Sequence, residues 1–204
     1  MKLTWLGHAC FLAESADGSI VFDAYEPGYV PGVKLPALAA DMSVSSHLHG
    51  DHHCPDAVKL TRRMTGFKLR ELDSFHDDCG GEKRGKNTIH ILDAEGLRLV
   101  HLGDLGHPLS PEQLKALGRV DILLVPVGGF YTIDAKTAFE LVKALRPRLT
   151  IPMHYRGEGF GFDVIAPVED IDSLFENVRY ADSNVLDTAG GIEEGVLVLK
   201  CPVV

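Results

Sequence analysis

Paired cysteines, a surplus of positive charge and long apolar runs are all missing from this chain. Cys10, Cys54, Cys79 and Cys201 are scattered over 204 residues with no C-x-x-C spacing, which excludes a disulfide framework and reads as reduced thiols in a cytosolic protein. Lys and Arg number 20 against 29 Asp and Glu, a formal net charge of −9. That balance argues against a nucleic-acid partner, because phosphate neutralisation needs clustered basic side chains. Two bound divalent cations would leave the chain still acidic, so most of the surplus is solvated surface. The opening MKLTWLGHACFLAES has an apolar run behind one Lys, but Gly7 and His8 interrupt it and no cleavage site follows. It reads as a first strand pair, not a signal sequence. With no stretch long enough to span a bilayer, the expected location is the cytoplasm, without a membrane partner.

What is present is ordinary globular material, 45% apolar and 24% charged. Neither disorder nor a fibrous repeat fits that composition. The length suits one well-cored domain covering residues 1–204.

Seven good metal ligands fall into one pattern: His47, His49, Asp51 and His52 in the run SHLHGDHH, then His76, Asp104 and His154. Imidazole nitrogen and carboxylate oxygen are donors that zinc accepts, and a catalytic site takes about three protein ligands per ion with a position left for water. Seven ligands suffice for two adjacent ions. On an extended segment His47 and His49 point the same way, and a bend at Gly50 can re-aim Asp51 and His52 toward a second ion.

The run HLHGDHH matches the H-x-H-x-D-H signature, and SFHDD, GDLGH and PMHY follow in order. By these motifs, over nearly its whole length, the chain resembles the metallo-β-lactamase superfamily. The resemblance implies an α+β fold, a four-layer αββα sandwich with the metal site on loops at strand ends. It also implies that His47, His49 and His76 hold one ion, that Asp51, His52 and His154 hold the other, and that Asp104 bridges them. Asp104 stands where true β-lactamases commonly carry a zinc-binding Cys, and those enzymes are typically exported, so an antibiotic-degrading role is disfavoured. The runs WLGHACF, HDDCGGEKRGKN and PVGGFYTIDAKTAF look most like a compact branch that includes L-ascorbate-6-phosphate lactonase.

The hydropathy pattern supports such an architecture. Short β-type runs occupy KLTWLG, ACFLAE, SIVFDA and MSVSS, the last leading straight into His47. A helix is expected over PDAVKLTRRM and a strand over FKLREL, which carries the chain to His76. NTIHILDA and LRLVHLGD restart the strand pattern and deliver Asp104. Ser110, Pro111 and Gln113 mark a capped helix start with Gly118 at its end; DILLVPVG is a buried strand. A second helix carries Ala135, Ala138, Phe139, Val142 and Leu145 on one face, and RLTIPMHY delivers His154.

Further residues are candidates around the ions. His8 resembles a histidine that the branch places near its active site, as a proton donor or substrate contact, the alternative being a structural histidine. Asp23 resembles a carboxylate that orients a metal-bound imidazole, the alternative being a simple turn residue; Asp51 doubles as an orienter of the nucleophile, and His107 is a rim candidate, the alternative being support behind the ligands. Gly128, Gly129 and Thr132 resemble a loop bordering the site, where backbone N–H groups can approach an anion; a tight turn is the alternative. Lys83, Arg84 and Lys86 form a basic cluster able to grip a phosphate or carboxylate, although a solvated turn is the favoured alternative, and Tyr155 and Arg156, which adjoin His154, share that ambiguity. His53, His90 and His101 are expected to stay out of the site, the latter two inside strands.

These readings converge on a metal-dependent hydrolase, with two divalent ions, zinc or else Mn, Ni or Fe, acting on a lactone or other ester-like bond of a small anionic metabolite. A phosphodiesterase is the alternative within enzymes. Iron-dependent redox chemistry and a non-catalytic metal-binding role rank lower, because no ligand position is lost or replaced. A homo-oligomer is compatible with the sequence.

Overall fold

The computed structural model describes residues 1–61 and 63–203. Two sheets form a sandwich. The first is assembled from β1 (Lys2–Trp5), β2 (Phe11–Ser15), β3 (Gly18–Phe22), β5 (Met42–Val44) and β13 (Val185–Asp187), in the order β13-β1-β2-β3-β5. From β13 through β1 and β2 to β3 each pairing is antiparallel, and β5 is parallel to β3. The second sheet joins β7 (Lys68–Phe75), β8 (Lys86–Ala94), β9 (Leu97–His101), β10 (Ile122–Pro126), β11 (Leu149–Met153), β12 (Val178–Tyr180) and β14 (Gly195–Val198), ordered β12-β14-β11-β10-β9-β8-β7.

Alternation along β1, β2 and β3 turns Leu3, Trp5, Phe11, Ala13, Ile20 and Phe22 inward, where they meet Ile89, Ile91, Leu99 and the fully buried β10 in one apolar cluster. His90 and His101 lie within this core, as expected. Phe22 stacks on His101 with centroids 5.2 Å apart, and His101 Nε2 donates to the Ala9 carbonyl at 2.8 Å, tying one sheet to the other. Val21, Cys10, Tyr25, Val33, Leu38 and Val58 make a second cluster on the outer side of the first sheet.

The two α-helices, α1 (Pro111–Leu117) and α2 (Ala135–Leu145), pack their buried residues into the larger cluster. Ser110 and Gln113 form a reciprocal capping box, and Gly118 closes α1 at φ 62°. The α+β sandwich is therefore present, with its helices packed on the larger cluster. Over the first sheet the cover is loop chain and a two-stranded sheet of β4 (Leu38–Ala40) and β6 (Val58–Leu60).

That last element corrects one expectation. PDAVKLTRRM is not a helix: Pro55–Ala57 make a single 3-10 turn, and Val58–Leu60 extend to pair with β4; Arg62 lies outside the described residues. The reason is the lack of an apolar stripe. Val58 is buried in the outer cluster, whereas Leu60 and Met64 stay exposed, so a helix there would have had no face to bury.

The parallel arrangement of β9, β10 and β11 aligns their C-terminal ends, and Asp104, Gly128 and His154 all follow those ends. Parallel pairing of Phe22 with Val44 likewise sets Asp23 beside Ser46. The Ser46 carbonyl accepts from Thr88 N–H at 2.8 Å, which fastens the loop after β5 to the second sheet. One end of the sandwich thus gathers ligands from four separate loops.

Candidate metal centre

All seven expected ligands meet there. His47, His49 and His76 offer ring nitrogens within 4.8 Å of one another, and the Asp51 carboxylate and the His52 and His154 nitrogens meet as closely in a group that also contains His8. Asp104 lies between the groups. Its Oδ2 is 3.2 Å from Nε2 of His76 on one side and 3.2 Å from Nε2 of both His52 and His154 on the other.

The local chain explains the convergence. After β5 the chain bends over residues 46–49 and turns beyond them, with His52 and His53 N–H both donating to the His49 carbonyl. Gly50 is required in that turn because the Tyr29 ring packs against it, 2.6 Å from where a Cβ would stand. His53 points away to Ser45 Oγ, as expected.

Buried polar atoms without partners test whether these residues suit metal ions. His47 Nε2, His49 Nδ1, His52 Nε2, His154 Nδ1 and Asp104 Oδ1 are all buried and make no hydrogen bond. Such groups cost about 1–3 kcal/mol each when left unpaired, so their clustering fits a bound cation. The electrostatics agree. Burial pushes His47 down to about 3, leaving a neutral lone-pair donor. Burial also disfavours charge on Asp104, yet His154 and His52 outweigh it and hold this carboxyl well below its usual range. His52 is driven the other way: desolvation lowers it, but Asp104 and Asp23 prevail and raise it well above an ordinary histidine.

The supporting contacts are specific. Asp23 Oδ2 is 2.7 Å from His52 Nδ1, and the same carboxylate accepts from Ser46 N–H at 2.6 Å and Ser46 Oγ at 2.7 Å. Ser46 Oγ in turn lies 3.0 Å from His47 Nδ1. The Asp23 reading therefore matches the geometry, with one carboxylate orienting imidazoles of both groups. His76 Nδ1 faces the Tyr131 carbonyl at 3.2 Å. Asp104 is held by Asn87, whose Oδ1 accepts the Asp104 N–H at 2.9 Å while Nδ2 donates to Ser74 Oγ and the Leu102 carbonyl.

Backbone strain concentrates at the same place. His8, Asp23, Phe130, Tyr131 and His154 all have left-handed backbone, with φ between 50° and 69°. Each costs about 1–3 kcal/mol and persists only where the surroundings demand it.

Three flanking expectations change. His107 does not face the donor cluster: its Nε2 accepts from Phe75 N–H and its Nδ1 lies 2.9 Å from the Pro108 carbonyl, so it braces the strand leading to His76. Gly129 N–H is spent on the Ile133 carbonyl, and Thr132 Oγ1 on the Gly129 carbonyl, so this loop is a tight turn and not an anion cradle. A Cβ at Gly128 would stand 2.1 Å from the His154 carbonyl. Tyr155 is buried against Trp5, and Arg156 Nε donates to the Ile165 carbonyl, so both are structural. Cys54 precedes the 3-10 turn and joins none of the donor groups.

The donors floor a cleft of about 250 Å³ walled by Tyr29, Phe130, Phe162 and Ile165, with Arg84 at its rim. Of the basic cluster, Arg84 enters this cleft and lies 4.9 Å over the Tyr131 ring. Lys83 pairs with Asp78, and Lys86 lines a separate groove behind His47 and His49. The Arg84 loop is built on Asp77, whose carboxylate accepts N–H groups from Cys79, Gly81, Lys83 and Arg84.

Residues 2–154 match the family model described as a beta-lactamase superfamily domain. The chain belongs to the metallo-β-lactamase superfamily. Among its relatives in that superfamily is a Pyrococcus abyssi protein of the UPF0173 group, 32% identical over 79% of this chain and 86% of the relative. A Thermoplasma acidophilum relative named as a UPF0173 metal-dependent hydrolase is 29% identical over 76% of this chain and 83% of its own length. A solved structure from Thermotoga maritima, named as a Zn-dependent hydrolase of the metallo-beta-lactamase superfamily, has 35% identity and a TM-score of 0.79, covering 98% of both chains. Among the described residues no helix is long and apolar enough to cross a membrane.

Proposed function

We propose that this member of the superfamily is a dinuclear metal-dependent hydrolase that opens a lactone or other ester-like bond in a small anionic metabolite. The observation that carries it is the convergence of two donor groups on Asp104 Oδ2 at the floor of a cleft with a guanidinium on its rim. The names of the relatives support hydrolysis, and the imidazole-rich donor set supports zinc. Bound divalent ions supply acidified water at neutral pH and polarise the bond that it attacks.

The remaining steps belong to the chain. Asp51 lines the cleft and accepts a hydrogen bond from the attacking water, orienting it toward the substrate. Arg84 holds the substrate's carboxylate or phosphate, its fork kept in place by the Tyr131 ring and the Asp77-centred loop. Phe130 and Phe162 cover the apolar part of the substrate. The cleft is smaller than the usual range of about 300–1,000 Å³ for drug-sized ligands, which favours a compact metabolite.

The test is hydrolysis of a panel of anionic and neutral lactones against bis(p-nitrophenyl) phosphate, with zinc-loaded protein and Asp104→Ala as the blank. Lactone turnover that is lost in the variant supports the reading. Preferential cleavage of the phosphodiester replaces it with a phosphodiesterase, which the same cation and rim would serve.

A further inference from the structure

His8 lies at the tight connection between β1 and β2, two residues before Cys10 and three after Trp5. It is 1% exposed, with a left-handed φ of 53°. Its backbone is fixed from two sides: the carbonyl accepts from Trp5 Nε1 at 3.0 Å and from His154 N–H at 3.2 Å. The second of these bonds couples the position of His8 directly to that of a metal ligand.

Its ring has no ordinary structural occupation. Both ring nitrogens are buried and lack a hydrogen-bond partner among the described residues. Nε2 points toward Asp51 Oδ2 at 3.4 Å, and the ring lies 4.1 Å from that of His154 and 5.1 Å from that of His52. Of the two core histidines, His101 closes a hydrogen bond on the Ala9 carbonyl, and His90 leaves one ring nitrogen buried and unpartnered where His8 leaves both. A group delivering a proton to substrate would face the cleft, whereas the edge of Phe162, a cleft residue, stands against the His8 ring.

We infer that His8 is an eighth metal ligand, which joins Asp51, His52 and His154 through Nε2 to make a second site with four protein donors besides Asp104. The donor atoms of these four residues lie within 4.8 Å of one another. This inference rests on the dinuclear reading above. It makes the two sites unequal: the His47, His49 and His76 site keeps room for water and substrate, while the His8 site is closed, binds more tightly and fills first. The strained backbone at His8 is then the cost of bringing a residue from the first sheet into the metal cluster.

Zinc and cobalt titrations of the metal-free full chain, with chelator competition, test this in wild type, His8→Ala and His8→Gln. Loss of an outer-shell partner weakens metal binding by about 10- to 100-fold, so removal of a true ligand should weaken one site by more than about 100-fold and leave the other unchanged. At saturating Co(II) the visible spectrum of that site should also change. In wild-type protein carrying ring-15N histidine, zinc should shift the His8 Nε2 resonance, assigned by its loss in His8→Gln, as strongly as that of His154. Two sites of native affinity in both variants, or an unshifted His8 resonance, would overturn the inference while leaving the dinuclear reading intact. Failure of wild type to bind two ions would remove both.

Discussion

Asp23 and His52 are joined by a 2.7 Å contact between Oδ2 and Nδ1, both side chains fully buried. The carboxylate raises the basicity of the imidazole and points its free Nε2 at Asp104 Oδ2. Through Ser46 the same carboxylate reaches His47, so one buried charge sets the orientation of ligands in both groups.

Asp23→Asn should therefore weaken metal binding by about 10- to 100-fold, with zinc affinity in chelator competition as the measurement. Ser46→Ala should reproduce a part of that loss confined to the His47 group.

Asn87 joins Asp104 to the second sheet by three hydrogen bonds. Asn87→Ala leaves the buried Asp104 N–H unpaired, at about 1–3 kcal/mol. The melting temperature should fall by about 2–4 °C for each kcal/mol lost in a chain of this size, and metal content should fall with it.

The ligands themselves are legible in the sequence because H-x-H-x-D-H is a local pattern, and the strands around them follow from local alternation. Asn87, Ser46 and the Tyr131 carbonyl are not legible. Their roles depend on which strand ends the sandwich brings together, and nothing in the residues beside them marks it. The failed helix at residues 55–64 has a similar origin: Pro55 and Ala57 suit a first turn, but the following chain is held extended by its pairing with Leu38–Ala40. Strands β12 and β13 carry short, half-buried patterns that give weak alternation.

Arg84 should act on substrate charge and not on metal. A hydrogen bond to a charged group is worth about 1.5–3 kcal/mol, so Arg84→Ala should lower kcat/KM for anionic lactones by about 10- to 100-fold. Neutral lactones should be hydrolysed at close to the native rate. Arg84→Lys should recover little, since a point charge does not reproduce the fork or the stacking on Tyr131.

Asp77 links pH to the order of the rim. Burial opposes its charge, but four backbone N–H donors outweigh that and hold the carboxyl well below the usual carboxylate range. A depressed folded-state pKa stabilises the fold fully above the unfolded value of about 3.9, and that contribution is lost as pH falls toward the folded value. The stability difference between wild type and Asp77→Asn, from denaturant unfolding of metal-free protein, should be constant above about pH 5 and shrink on further acidification. A difference independent of pH would show that the loop does not depend on the charge.

The proposed function requires two ions held about Asp104 for hydrolysis. The most direct measurement is the hydrolysis rate of an anionic lactone as zinc is added stepwise to metal-free protein. Activity should rise until two equivalents are bound and be absent in Asp104→Ala at any zinc level. Activity that is complete at one equivalent, or that survives chelation, would contradict it.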